Sequence, residues 1–401
     1  MACHRVRGTQ QLELEWIIGS ARKFNAQGRV PTNSTGRDVL KAESENHWQT
    51  AEAIALMAGV AGLFHDFGKA NTLFQQKLLG KRGTQEPLRH EWLSLLMFVA
   101  FVRAKTATIK TDEEWLKALA GISEQDEKLC QQALSAYQQD KELALKNPFV
   151  QLEGLSLAKV VSWLIVSHHR LPVYPAREGK KADETEDEYP RLKKFKLSQL
   201  TLEHQDWYAP WNSSQCLRHD WSAADWQGLF NFAHGTPIAS QQWRAKAKQL
   251  AQRALKQSVL YNGQTQWLQH DQFSSHLSRL ALMLADHSYS AAGKQTKWWD
   301  EKYQVFANTD KKDANGKRPL KQRLDEHNIG VGQNALLLAR QLPNLRSNLP
   351  VLVSHKTLKS RSSNSGYRWQ DTAFDIATGL SAVSSKQGFF GVNMASTGKG
   401  K

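Results

Sequence analysis

The chain has 401 residues, 40% of them hydrophobic, which is enough for two or three domains with a sizeable core. Its 53 Lys and Arg against 38 Asp and Glu leave a net charge of +15, so a polyanion, nucleic acid first, is the expected partner. Cys3, Cys130 and Cys216 are odd in number and too far apart to suggest a disulfide framework or a zinc knuckle, no signal peptide is visible in the sequence, and the longest apolar run, Leu95 to Val102, is too short to span a bilayer; a cytoplasmic chain without a membrane role is expected.

Residues 1–28 contain no self-sufficient core. Cys3 to Gly8 reads as a strand end, and Leu12 to Gly19 as another strand or a short helix. Gly28 to Gly36, with Pro31, Asn33 and Ser34, is loop chemistry. From Glu43 to Leu63 the apolar residues recur near the helical period and lead into Gly62-Leu63-Phe64-His65-Asp66-Phe67-Gly68-Lys69. A His followed by an Asp at the end of an apolar helix is a metal-ligand pair. His47 lies 18 residues before His65, about 27 Å away on a straight helix. If both are ligands of one site, the helix must break, and Gly59 or Gly62 is the expected place.

Arg89-His90-Glu91-Trp92-Leu93 opens a further apolar helix that reaches about Ala104. Asp112 to Ala136 reads as one or two charged amphipathic helices. Leu157 to Ser167 is an apolar helix that ends in His168-His169-Arg170, before Pro172 and Pro175 stop it. Residues 178–196 are a charge-rich insertion, read as a solvated loop. Trp207, Trp211, Trp221, Trp226 and Trp243 lie among polar residues, in helices expected to pack on the main body.

Phe273 to Ala285 is apolar and helical, with Asp286 at its end. An Asp there needs a cation, a capping role or solvent; ligand and cap are equally good readings. Residues 293–325 form a second polar insertion, with Asn315-Gly316 as a hairpin tip. Asn334 to Leu342 reads as a helix, and Pro343 to Pro350 as a linker. Trp369-Gln370 then leads a helix, and Gly388 to Met394 reads as a short buried strand.

Taken together, His47, His65, Asp66, His90, His168, His169 and Asp286 are five imidazoles and two carboxylates in apolar surroundings, where a lone polar group is costly to bury. That donor set suits iron, manganese, nickel, cobalt or zinc better than calcium or magnesium alone. It exceeds the four ligands of a structural zinc site. With a bridging Asp, two metals would suit phosphodiester hydrolysis, one acidifying a water and one stabilising charge on the phosphate and leaving group. Asp66 and Lys69 are the candidate catalytic residues, with Lys69 offering a cation to the phosphate. Ala395-Ser396-Thr397-Gly398-Lys399-Gly400-Lys401 resembles a phosphate loop. It has Ala395 in place of the first Gly, and it ends before the Ser or Thr that would hold Mg²⁺.

The order His47, His65-Asp66, His90, His168-His169, Asp286 and then a helicase-type phosphate loop resembles the CRISPR-associated nuclease–helicases of type I systems. Ala2 to Gly8 and Glu15 to Gly19 look like the subtype I-F form, in which a small adaptation domain precedes the nuclease. The resemblance implies an all-α HD-type metal-dependent phosphohydrolase followed by the opening of an α/β RecA-like helicase domain. It divides the chain at 1–28 (adaptation tail and linker), 29–345 (HD nuclease) and 346–401 (truncated helicase start). It implies two divalent transition metals (iron, manganese, nickel or cobalt, with magnesium as a further candidate). His47, His65, Asp66 and Asp286 would hold one, and Asp66, His90, His168 and His169 the other. Gln370 would read adenine, with Thr397, Gly398, Lys399, Gly400 and Lys401 as an incomplete nucleotide site; ATP and Mg²⁺ would serve only the full-length helicase.

The implied activity is degradation of the DNA strand displaced when a guide RNA complex forms an R-loop. Implied partners are single-stranded DNA, the guide RNA surveillance complex, an adaptation integrase through the N-terminal domain, and a phage-encoded inhibitor. Two other readings compete: an HD phosphohydrolase acting on nucleotides, and a non-catalytic docking module for the guide complex.

Overall fold

The computed structural model of the chain describes residues 2–7 and 13–18. It also describes 50–171, 209–262 and 271–344, apart from 82, 84, 105–108, 219, 295, 315 and 317. His47, the insertion at 178–196, Gln370 and the phosphate-loop residues 397–401 lie outside this set. The chain divides into two units, Met1–His47 and Trp48–Lys401. The first holds an antiparallel hairpin of β1 (Ala2–Arg7) and β2 (Glu13–Ile18), with Ala2 opposite Ile18 and Arg7 opposite Glu13.

The second unit is helical. Its axis is α1 (Ala51–Phe64), in which every residue from Ala53 to Phe64 is buried. A helix apolar on all sides belongs in a core. Four helices surround it: α7 (Ser156–Ser167), α10 (Gln241–Ala254), α11 (Gln272–Ala291) and α12 (Leu324–Gln341). A further layer is built by α2 (Thr72–Leu78), α3 (His90–Ala104), α4 (Asp112–Ala120), α5 (Gln125–Gln139) and α6 (Lys141–Leu145), joined by the short α8 (Ala209–Asn212) and α9 (Ala223–Leu229). Among the described residues no helix is long and apolar enough to cross a membrane.

Helix α1 runs unbroken through Gly59 and Gly62, contrary to the expected break. The glycines are there for a close crossing. A Cβ on Gly62 would stand 2.7 Å from the Cα and 2.8 Å from the nitrogen of Gly332 in α12. Gly59 has ordinary contact distances, 3.4 Å and more. The two positions should therefore respond oppositely to alanine. Gly62→Ala meets rigid backbone and should lower stability by about 1–3 kcal/mol. Gly59→Ala should be neutral or stabilising, because alanine is better by about 1 kcal/mol in a helix interior. Thermal melts of the two variants check this; equal melting temperatures would contradict the close crossing.

The end of α1 is held from outside. Trp243 in α10, fully buried, donates from Nε1 to the Leu63 carbonyl at 2.9 Å, satisfying one of the carbonyls a helix leaves open at its C-terminus. The Phe64 ring packs edge-on against Trp243 and Phe98, with centroids 5.2 and 5.0 Å apart. This fixes the direction in which the next two residues, His65 and Asp66, leave the helix.

Between α11 and α12 the chain makes a hairpin excursion. Phe306 pairs with Arg323 and Thr309 with Leu320, and Gly316 turns near the tip at φ +74°. The predicted hairpin is present and the insertion ends about where expected, but α12 begins at Leu324, ten residues before the predicted helix start at Asn334.

Candidate metal centre

Four helix ends and two helix interiors converge on Asp66. His65 caps the end of α1, and Asp66 opens a 3-10 turn, Phe67–Ala70. Gly68 lets that turn touch the start of α3: its Cβ would lie 2.3 Å from the His90 carbonyl, and its N–H donates to Ser94 Oγ at 2.8 Å. His90 is thereby brought beside the His-Asp pair. His168 caps α7, with His169 following. From the helix interiors come Asp286 of α11 and His327 of α12.

The distances describe one cluster. Asp66 has Lys69 Nζ at 2.5 Å, His327 Nε2 at 3.2 Å, His65 Nε2 and His90 Nε2 at 3.3 Å, and His168 Nε2 at 3.8 Å. Asp286 has His327 Nε2 at 3.3 Å, with His65 Nε2 and His169 Nδ1 each at 3.7 Å. Two sets of four ligand atoms, each set within 4.8 Å, can be drawn: Asp66, His90, His168 and His169, and His65, Asp66, Asp286 and His327. They share Asp66.

The imidazoles are oriented from behind. His65 Nδ1 faces the Gly62 carbonyl at 2.8 Å, His168 Nδ1 the Ile165 carbonyl at 2.6 Å, and His327 Nδ1 the Gln322 Oε1 at 3.1 Å. His90 Nδ1 lies 3.5 Å from Glu91 Oε2, a buried carboxylate gripped by Arg89. In the neutral form of each ring the inner Nε2 then carries the lone pair. The Nε2 atoms of His65, His90, His168 and His327, with Asp66 Oδ1, are buried without a hydrogen-bond partner. Buried polar atoms are nearly always paired, and five converging orphans of acceptor type fit divalent cations.

The electrostatics agree. Burial alone would raise Asp66, but His65 and Lys69 hold it well below the usual carboxylate range. Asp286 is likewise held low against burial, by His327 and His65. His65 is raised to about 9 against burial, chiefly by Asp66. Burial, aided by neighbouring imidazoles, lowers His168, and lowers His169 to about 4, so both are neutral near pH 7, the form a metal ligand needs. The carboxylates thus demand positive charge on one side of Asp66, while the other side offers neutral nitrogen donors.

No family model matches the sequence. Two curated proteins do, each along the whole of this chain. Both are named CRISPR-associated nuclease/helicase Cas3 subtype I-F/YPEST, one from Pectobacterium atrosepticum at 45% identity and one from Pseudomonas aeruginosa at 40%. Over the part it spans, the chain is similar to these nuclease/helicases along its whole length. It spans 34% of the length of each of these relatives.

The family resemblance read from the sequence is therefore borne out, and the structure adds where each predicted site residue stands. His65, Asp66, His90, His168, His169 and Asp286 come together in the one cluster, with Lys69 against Asp66. His47 lies outside the described residues; among the described residues, His327 joins His65, Asp66 and Asp286 as the fourth member of a set. Asp286 is not at a helix end: α11 continues to Ala291, so a capping role is ruled out.

His327 was missed because the helix was expected to begin only at Asn334, which left residues 326–333 unassigned, whereas it begins at Leu324. The period would have found it. His327, Val331 and Ala335 repeat at four-residue spacing, and all are buried. Its first turn is pinned by the buried Asp325, which accepts from Ser240 Oγ at 2.7 Å and Asp300 N at 2.8 Å.

Proposed function

We propose that this chain is the metal-dependent nuclease portion of a CRISPR interference protein, cutting the single DNA strand displaced at an R-loop. One observation carries this reading: two four-residue His/Asp sets share the buried Asp66 and turn five unpartnered acceptor atoms inward. His65, Asp66, Asp286 and His327 would hold one metal, and Asp66, His90, His168 and His169 the other. Such a pair acidifies a bound water and neutralises charge on a phosphate and its leaving group. Asp66 supplies a carboxylate oxygen to each side, and Asp286 adds the second negative charge. The partly exposed His169, with a side chain 30% accessible, marks the side open to substrate. Lys69, hydrogen-bonded to Asp66 and 11% accessible, keeps a cation beside the bridging carboxylate.

The net +15 suits a strand held by its phosphates. By this reading residues 29–345 are an HD-type hydrolase domain, and residues 346–401 open a RecA-like domain in which Gln370 and 397–401 would serve ATP. Manganese, iron, nickel and cobalt are the metals the donors favour. The surveillance complex, an integrase and a phage-encoded inhibitor are partners of the whole protein, in the cytoplasm.

The test is cleavage of a labelled single-stranded DNA circle with Mn²⁺ or Ni²⁺ and no ATP. Cutting that requires metal and falls to background in His90→Ala is expected. Hydrolysis of nucleotides with the circle left intact, or full cutting by the variant, would overturn the reading.

A further inference from the structure

Of the imidazoles aimed at Asp66, His65 and His168 are oriented by main-chain carbonyls, which no substitution removes. His327 is different. Its Nδ1 faces the side chain of Gln322, a fully buried residue at the root of the hairpin between α11 and α12. The Gln322 amide has every direction assigned. Nε2 lies 2.8 Å from the Tyr289 carbonyl and 3.1 Å from the Ala292 carbonyl, both at the end of α11. Carbonyls only accept, so this end of the amide must be the NH₂ group. Oε1 is then the acceptor, and it takes Asn308 Nδ2 at 2.8 Å and His327 Nδ1 at 3.1 Å. An acceptor at that distance requires the proton of His327 to be on Nδ1. In the neutral ring Nε2 then keeps its lone pair, 3.2 Å from Asp66 Oδ2 and 3.3 Å from Asp286 Oδ1. A lone pair held against two carboxylate oxygens is repulsive unless a cation lies among them, either a metal ion or a second proton on the ring.

We propose that Gln322 is a positioning residue of the metal centre, fixing the tautomer of His327 that presents Nε2 to the space between Asp66 and Asp286. The inference rests on the metal-binding reading for its purpose, but the tautomer itself does not. The same amide ties the hairpin, through Asn308, and the end of α11 to the ligand on α12. Three segments distant in sequence thus set one ring.

Two measurements test it. In the metal-free wild-type chain, long-range ¹H–¹⁵N NMR of the histidine rings should show His327 protonated on Nδ1; protonation on Nε2 alone would overturn the proposal without any variant. Calorimetric titration with Mn²⁺ and with Ni²⁺ is the second. Gln322→Met removes the acceptor and should weaken one of two sites about 10–100-fold, the usual effect of losing an outer-shell partner, leaving the other within a few-fold. Gln322→Glu keeps an acceptor toward Nδ1 and should recover most of the loss. Wild-type affinity in a folded Gln322→Met would overturn the proposal, as would equal weakness in both variants, which marks a merely structural residue. If Gln322→Met does not fold, Asn308→Ala, which removes the support behind Oε1, should shift the His327 ring signals; unchanged signals would count against the proposal. A wild-type chain that binds neither metal refutes the nuclease reading, while the NMR result still decides the tautomer.

Discussion

Asp66→Asn is expected to remove both metals from this chain, whereas Asp286→Asn and His90→Ala should each remove one. The asymmetry follows from membership: Asp66 belongs to both four-residue sets, Asp286 and His90 to one each. An amide keeps the shape of the carboxylate but loses its charge and one anionic oxygen, and a bridging ligand needs both oxygens. Metal content after dialysis should read about two equivalents for wild type, near zero for Asp66→Asn and about one for the others, if the centre is of the two-metal kind. The substitution also leaves Lys69 beside a neutral group, and removing one partner of a buried ion pair can cost about 3–5 kcal/mol. The double variant Asp66→Asn/Lys69→Met separates the two effects. It should melt closer to wild type than Asp66→Asn alone and still bind no metal. Two metals retained by Asp66→Asn, or both lost in Asp286→Asn, would refute the shared-ligand arrangement.

The parts of the fold legible in the sequence were those where local pattern and tertiary role coincide. The run from Trp92 to Val102 and the run ending at His168 are apolar at every turn, and both are buried helices closing where polar residues begin. The cluster was legible for the related reason that a buried His or Asp has no use in an apolar helix except as a partner to something. What was not legible depended on contacts between distant segments. Gly62, expected as a place for a break, makes sense only with Gly332 as two faces of a single crossing. Starting the last helix at Asn334 left out the first turns of α12 and with them His327. Asp286 was misplaced for a similar reason. Residues after it, Ser288 and Ser290, weaken the apolar pattern, yet Tyr289 is buried and hydrogen-bonds Glu326 at 3.3 Å, so packing on α12 carries the helix onward.

His327→Ala should weaken the metal held by His65, Asp66 and Asp286 about a hundredfold or more. Structural four-ligand zinc sites bind with about 10–16 kcal/mol, and on that scale one ligand represents about 3 kcal/mol, or about two orders of magnitude in affinity. His327 is fully buried, and its ring is held by Gln322 behind and faces two carboxylates in front. Its loss therefore leaves an imidazole-sized space lined by the acceptors that need a cation. Free imidazole added to the variant should enter that space and restore part of the affinity, an effect a general loosening of the fold would not produce. The set around His90, His168 and His169 should keep its metal, because it shares only Asp66 with the damaged one. Calorimetry with Mn²⁺ reads all three outcomes. Wild-type affinity in His327→Ala, with the loss appearing in His47→Ala, would return the fourth ligand to the residue the sequence first suggested. That result would make the His327 ring a hydrogen-bonding neighbour of Asp66 rather than a ligand, and the tautomer fixed by Gln322 would then serve packing of α12 alone.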